Sequence, residues 1–264
     1  MAKIFPIIVT YNTSYKDCNT YKSLLCHYDN MPMLIYDNSP APINSEFKTE
    51  YVHYKNDPSN GGVSKAYNYG AKIAKEIVNA DFVLLLDQDT TFEPDYINVL
   101  NDAIDKYKSV NLFVPIIRYN DGRIFSPVGF SFWKIKLKEL SPGLHSLKNT
   151  LPVNSGSCIR IDNMMSVGGY NENIPLDFSD FDFFHRLSKT SDTFYVVDST
   201  AKQSFSNDET DAEKLYERFK KYIAGVNHAA IKYRCIIHVL RHTISLTVRT
   251  KDVRFIMHCL KNIF

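Results

Sequence analysis

Asp87-Gln88-Asp89 closes the most apolar short run of the chain, residues 82–86. If that run is a strand, its period of two puts both carboxylates on one side where the backbone leaves the sheet. Paired hard oxygen donors at such a point can grip Mn2+ or Mg2+, with substrate phosphates completing the shell. The same residues also serve as a turn or cap. A second acidic group, Asp177, Asp180 and Asp182, lies among aromatics just before His185 and Arg186 and after Gly168-Gly169-Tyr170-Asn171-Glu172. A carboxylate at a helix N-terminus is favoured in its ionised form, which suits a general base taking a proton from a hydroxyl, and Asp180 is the better placed. Asp182 and Arg186 are four apart and read as a salt bridge on a helix surface rather than as direct participants. The third group is Asn60-Gly61-Gly62 followed by Ala66, Asn68 and Gly70. Residues 62, 66 and 70 form a small stripe that lets a helix approach a sheet, which leaves Asn60 and Asn68 as candidates for polar contacts.

Strands and helices must hold these groups. Residues 4–9 are a β-branched run ending in Thr10-Tyr11-Asn12, and Ser14 offers an N-cap for a helix over 14–27. Residues 33–36 predict a buried strand stopped by Asp37-Asn38-Ser39-Pro40, and 50–54 a weaker one. A long helix follows over 63–80, a central strand over 82–86 and a helix over 95–107. This alternation predicts an α/β fold, a mostly parallel Rossmann-like sheet flanked by helices, with its ligand crevice beyond the carboxyl ends of the strands. The turns at Thr10, Asp37 and Asp87 lie at such ends.

The second half predicts strands over 112–117, 157–161 and 194–197, a hairpin turn at Asp121-Gly122, loose alternation over 130–140 and a helix over 179–189. From about residue 209 the pattern is helical only. The expected organisation is therefore 1–208 as one domain, divided near 110 into a ligand-binding and an acceptor half, with 209–264 as a helical extension.

The 264 residues are 44% hydrophobic, enough for a sizeable core. A net charge of +2 gives no argument for a nucleic-acid partner. Five scattered cysteines without a C-x-x-C pair fit a reducing compartment. With no signal-like or membrane-spanning run, the expected location is cytoplasmic.

In order and spacing the motifs resemble the family 2 glycosyltransferases of bacterial polysaccharide assembly, including the rhamnosyltransferase-like branch, over about residues 4–208. The marks are Val9-Thr10-Tyr11-Asn12, Tyr36-Asp37-Asn38-Ser39, Asn60-Gly61-Gly62, Asp87-Gln88-Asp89, Asn154-Ser155-Gly156-Ser157, Val167-Gly168-Gly169-Tyr170 and the segment from Asp180 to Arg186. The resemblance implies the GT-A fold and transfer of a sugar from a UDP- or dTDP-linked donor, with inversion, to a lipid-linked oligosaccharide. It implies that Thr10, Tyr11 and Asp37 line the base pocket, that Asn12, Asn60, Gly61, Asn68 and Gln88 face the nucleotide sugar, and that Asp87 lies near the ribose. Asp89 would hold the metal, Asp180 would be the base, and Ser155, Gly156, Asp182 and Arg186 would support the acceptor side. Where relatives place a histidine after the last strand, this chain has Gln203, a weaker oxygen ligand.

A nucleotidyltransferase would share the alternation and the acidic site, but no glycine-rich basic phosphate loop follows the first strand. A non-catalytic nucleotide- or glycan-binding module on the same scaffold is the other alternative. Residues 234–264 carry Ile237, Leu240, Ile244, Val253, Ile256 and Leu260 at helical spacing among Arg241, Arg249, Lys251, Arg254 and Lys261. Such a face suits a membrane surface, or packing against the domain or a second subunit of a homo-oligomer.

Overall fold

The computed structural model describes residues 2–130, 135–137, 140–148, 150–203 and 211–263. Thirteen strands are present among them: β1 (Ile4–Thr10), β2 (Met33–Asp37), β3 (Val52–Asn56), β4 (Phe82–Asp87), β5 (Thr90–Thr91), β6 (Leu112–Tyr119), β7 (Ile124–Ser126), β8 (Val128–Phe130), β9 (Ile135–Leu137), β10 (Gly143–Ser146), β11 (Thr150–Leu151), β12 (Cys158–Arg160) and β13 (Thr193–Gln203). The helices are α1 (Asn19–Ser23), α2 (Gly62–Ile73), α3 (Tyr96–Lys106), α4 (Ile161–Ser166), α5 (Ser179–Leu187), α6 (Ala212–His228), α7 (Lys232–Thr250) and α8 (Arg254–Ile263).

The main sheet runs β10-β13-β6-β12-β4-β1-β2-β3, with β5 on β13 and β7 on β6. Strands β3, β2, β1 and β4 are mutually parallel, as the alternation predicts. The departures are β12, antiparallel to both β4 and β6, and β10, β5 and β7, each antiparallel to its neighbour. Burial on both faces explains the continuous apolar runs. Phe5, Ile7, Val9, Val83 and Leu85 face a core shared with α2, α5 and α6. Ile4, Ile8, Phe82, Leu84 and Leu86 face a second core under α3.

Helix α2 approaches closely, as its small stripe predicts. A Cβ at Gly70 would lie 2.4 Å from Ile7 Cδ1, and Gly62 has φ +82 with the Pro175 carbonyl in the way of any side chain. Asn79, at φ 53, ends the segment after a π-helical turn over Ala74–Val78, so α2 is shorter than the expected 63–80.

The expected helix over 14–27 is three pieces, α1 between 3-10 turns at Tyr15–Asp17 and Leu25–His27. Long-range bonds break it. Asn44 Oδ1 takes the Tyr15 N–H, and Cys18 is extended (φ −60, ψ 139). Asn19 N–H then donates to Gln88 O, and Thr20 Oγ1 to the carbonyls of Asp87 and Thr90. Ser14 makes no side-chain cap. The last strand is also longer than expected: β13 continues past an irregularity between Val196 and Thr200 to Gln203. Helix α4 was not expected. Residues 131–134, 138 and 139, within the expected alternation over 130–140, and the expected boundary at 208–209 lie outside the described residues.

Helices α6, α7 and α8 join the first core through Phe219, Ile223, Cys235, Val239, Phe255 and Cys259. The five cysteines are free thiols, and only Cys26 is exposed. No helix among the described residues is long and apolar enough to cross a membrane.

Candidate active site

The carboxyl end of β4 delivers Asp87, whose acceptor positions are filled from within the chain. Its Oδ1 accepts from Thr90 N–H and from Thr90 Oγ1, at 3.1 and 2.5 Å. Its Oδ2 accepts from Ser155 Oγ and, at 2.9 Å, from Gln203 Nε2. Pairing of β13 with β5, Gln203 opposite Thr90, carries Gln203 to this turn. Gln203 is thus the last residue of the strand rather than one beyond it. Its Oε1 is buried without a hydrogen-bond partner among the described residues. Flipping the amide would set that oxygen against the Asp87 carboxylate, so the assignment follows from charge.

Two residues on, Asp89 is exposed. Partial burial, with the Asp87 charge nearby, raises its pKa above the ordinary carboxylate value, and a hydrogen bond with Gln88 opposes this. A cation would relieve that repulsion. Asp89 and the orphaned Gln203 oxygen are hard donors that fit Mn2+ or Mg2+. Among the described residues no cluster of three or more His, Cys, Asp or Glu side chains could hold a metal unaided.

Asp180 begins α5. Burial raises its pKa to about 7; the Phe181 N–H, donating at 2.8 Å, opposes the rise and the Asp177 charge adds to it. A pKa there suits a general base working near neutrality. The segment before β12 joins this carboxylate's helix to the β4 turn. Ser155 donates to Asp87, while its neighbour Asn154 donates to Ser179 Oγ at 3.2 Å and accepts from Tyr170 OH at 2.7 Å. Tyr67, fully buried, has its pKa raised by burial and by the charges of both Asp87 and Asp180. The two acidic groups singled out from sequence therefore flank one region.

The pair of Asp182 with Arg186 is not on the helix surface as expected: Asp182 is buried, because α5 turns this face to the Ala230 N–H before α7. Asp182 Oδ2 accepts from Arg186 Nε at 2.9 Å and its Oδ1 from the Ala230 N–H at 2.8 Å, while Arg186 Nη1 donates to Val167 O. Gly156 donates its N–H to Leu85 O and accepts from Tyr96 OH.

On the β1 and β2 side, Asp37 is fully buried. It accepts from the Ser39 and Ile43 N–H groups, from Tyr54 OH and from Asn44 Nδ2. Burial works to raise its pKa, and these bonds outweigh it and hold it below the ordinary value. Thr10 is buried and accepts from Asn44. Tyr11 is exposed, its N–H donating to Gln88 Oε1, and Asn12, at φ 50, donates its N–H to Ser39 Oγ. Asn60 is exposed. Gly61 sits against Lys65 and Asp57, which form an ion pair at 2.8 Å. Asn68 turns away to the loop before α5: Oδ1 accepts from Tyr170 N–H, and Nδ2 donates to Tyr170 O and Glu172 Oε1.

Sequence reasoning left out Thr90, Asn154, Asn44 and Tyr67 as site residues. Asn154 stands in a quoted motif and was within reach. Asn44 and Tyr67 act through contacts that no spacing along the chain reveals.

A family model described as "Glycosyltransferase like family 2" matches residues 8–247. The chain belongs to that family. No curated protein matches it. Among solved structures it is similar to GalNAc-T7 with UDP, GalNAc and Mn2+, at 14% identity and TM-score 0.60 over 92% of this chain and 51% of that one. It is similar to S. aureus TarS 1-349, at 15% identity and TM-score 0.61 over 99% and 80%. The complex of TarS 1-349 with UDP-GlcNAc gives 15%, 0.53, 95% and 74%. The chain thus spans about half of the GalNAc-T7 chain. At these identities the likeness is one of fold, and that fold is GT-A.

Proposed function

We propose that this family 2 protein is a divalent-metal-assisted, inverting glycosyltransferase that moves a sugar from a UDP- or dTDP-linked donor to a lipid-linked oligosaccharide in bacterial surface-polysaccharide synthesis. The observation that carries the reading is the bridge from Asp87 through Ser155 and Asn154 to Ser179, which holds the metal-side turn and the Asp180 base around one region. The names of two structural neighbours, one holding UDP and Mn2+ and one UDP-GlcNAc, support a nucleotide-sugar donor.

In this reading the acceptor hydroxyl attacks the anomeric carbon opposite the diphosphate. The new C–O bond forms as the bond from that carbon to the diphosphate oxygen breaks. The hydroxyl proton goes to Asp180 and the electron pair leaves with the diphosphate, so a single displacement inverts the centre. Bound Mn2+ or Mg2+ would neutralise charge on the leaving diphosphate. Asp89 and Gln203 Oε1 would be the side-chain oxygens that hold it. Tyr11, Asn12, Asn60 and Gly61 face the nucleotide sugar. Asp37, Thr10 and Asp87 act by fixing the loops that form the pocket.

The test is a panel of UDP-, dTDP- and GDP-sugars with and without Mn2+, read by nucleoside diphosphate release and donor-induced thermal stabilisation. Stabilisation by one donor family, lost in Asp89→Ala, is expected. No response to any donor would give the chain to a non-catalytic binding module instead.

A further inference from the structure

Helices α7 and α8 carry two apolar faces, and only one is covered. Cys235, Val239, Thr243 and Leu246 of α7 and Phe255, Cys259 and Ile263 of α8 are buried. Opposite them, Tyr233, Ile244 and Val248 are 77, 56 and 71% exposed, and Val253, Met257 and Leu260 are 63, 66 and 55% exposed. With half-buried Ile237 and Leu240, the α7 residues follow helical spacing as one continuous stripe. An apolar surface of this kind marks an interaction site.

Charge identifies the occupant. Residues 232–264 hold seven Lys and Arg against one acid, Asp252, which is paired with Arg254. Arg249 and Lys261 are exposed and next in sequence to Val248 and Leu260, and exposed Lys251 lies two residues before Val253. A second copy of this face would set like charge against like. An anionic bilayer complements both features, since apolar side chains enter the headgroup boundary while the cations meet lipid phosphates. Neither helix can cross a bilayer, so the geometry is that of a surface lying in the interface.

We propose that α7 and α8 form a docking face that holds the protein on an anionic membrane surface. The junction before α7 is tied to the base-bearing helix, since Ala230 N–H donates to Asp182, so docking sets the direction from which a membrane-held acceptor meets Asp180. Docking itself needs no donor, and its failure is separable from failure of the transferase reading.

The experiment is co-sedimentation of the full chain with vesicles of phosphatidylcholine alone and of an equal mixture with phosphatidylglycerol. Binding to the mixed vesicles only is expected. It should weaken about ten-fold or more in Ile244→Ser/Val248→Ser and in Arg249→Glu/Lys251→Glu/Lys261→Glu, with thermal unfolding unchanged. Failure to bind the mixed vesicles, or binding that both variants retain, overturns the proposal. So does a concentration-dependent dimer that Ile244→Ser/Val248→Ser abolishes, which would assign the face to a second copy.

Discussion

Gln203 donates a side-chain N–H to Asp87 Oδ2 over 2.9 Å, and its own buried Oε1 has no hydrogen-bond partner among the described residues. One side chain therefore does two things at the β4 turn: it holds Asp87 and presents an acceptor that lacks a donor. A buried, unpaired carbonyl costs about 1–3 kcal/mol, and a bound cation would remove that cost.

Two substitutions separate these roles. Gln203→Leu removes both donor and acceptor, and apparent metal affinity in donor turnover should fall about 10- to 100-fold. Gln203→Glu keeps an acceptor but sets a second carboxylate against Asp87. If the acceptor matters more, the Glu variant binds Mn2+ more tightly than the Leu variant. Equal metal titrations for wild type and Gln203→Leu would remove Gln203 from the metal site.

Asp180 gives a pH signature whose sign is fixed by its pKa of about 7. Activity that needs the carboxylate rises with pH through about 7 and then levels. Stability runs the other way. Between about pH 4, where an unfolded Asp ionises, and pH 7, the unfolded chain releases a proton that the folded chain keeps, so stability from this residue falls as pH rises. Asp180→Asn should lower kcat about 10²- to 10⁴-fold. It should also raise Tm at pH 8 relative to wild type and leave it nearly unchanged at pH 4. A Tm difference that does not vary with pH would count against a half-buried Asp180 that keeps its proton to about pH 7.

Asp89 is the exposed member of its pair, so its removal separates binding from folding. Asp89→Ala should unfold at the wild-type temperature or slightly above it, because repulsion from Asp87 is relieved. Donor-induced stabilisation in Mn2+ should vanish, as it should for wild type after chelation. Full stabilisation of the variant by a donor would exclude Asp89 as the metal ligand.

Much of this was legible in sequence wherever the signal was local. The runs that became β1, β2 and β4 are buried on both faces and read as unbroken apolar segments, and the four-residue spacing of Asp182 and Arg186 gave their ion pair. What was not legible came from distant partners. Thr20 reaches Asp87 and Thr90, and Asn44 takes the Tyr15 N–H, which together cut the expected helix over 14–27 into pieces. Saturation of Asp37 and Asp87 by neighbours is invisible for the same reason: the residue type advertises a ligand, and only the fold shows that its lone pairs are taken. The C-terminal stripe was legible as an apolar periodicity, but not that a second set of residues on the same helices would supply the inward packing.

Asp182 should behave as a structural anchor. Its carboxylate is buried between Arg186 and the Ala230 N–H, and removing one partner of a buried ion pair costs about 3–5 kcal/mol. Asp182→Ala should lose stability of that order in urea unfolding. A loss under about 1 kcal/mol would mean that the pair behaves like a surface bridge.

Asn68 decides between two roles with one variant. Its amide spans the loop before α5, with Oδ1 accepting from Tyr170 N–H at 2.8 Å and Nδ2 donating to Tyr170 O and Glu172 at 2.9 Å. Tyr170 in turn stacks on Phe183 and donates to Asn154, which holds Ser179 beside Asp180. Asn68→Ala therefore frees the loop that leads into the Asp180 helix. Unfolding free energy should fall by about 2–3 kcal/mol, and kcat should fall with donor KM nearly unchanged. A residue that contacted the nucleotide sugar directly would give the opposite division, with donor KM raised and stability kept. That outcome would return Asn68 to the donor site and remove it as the bracket of the loop before α5.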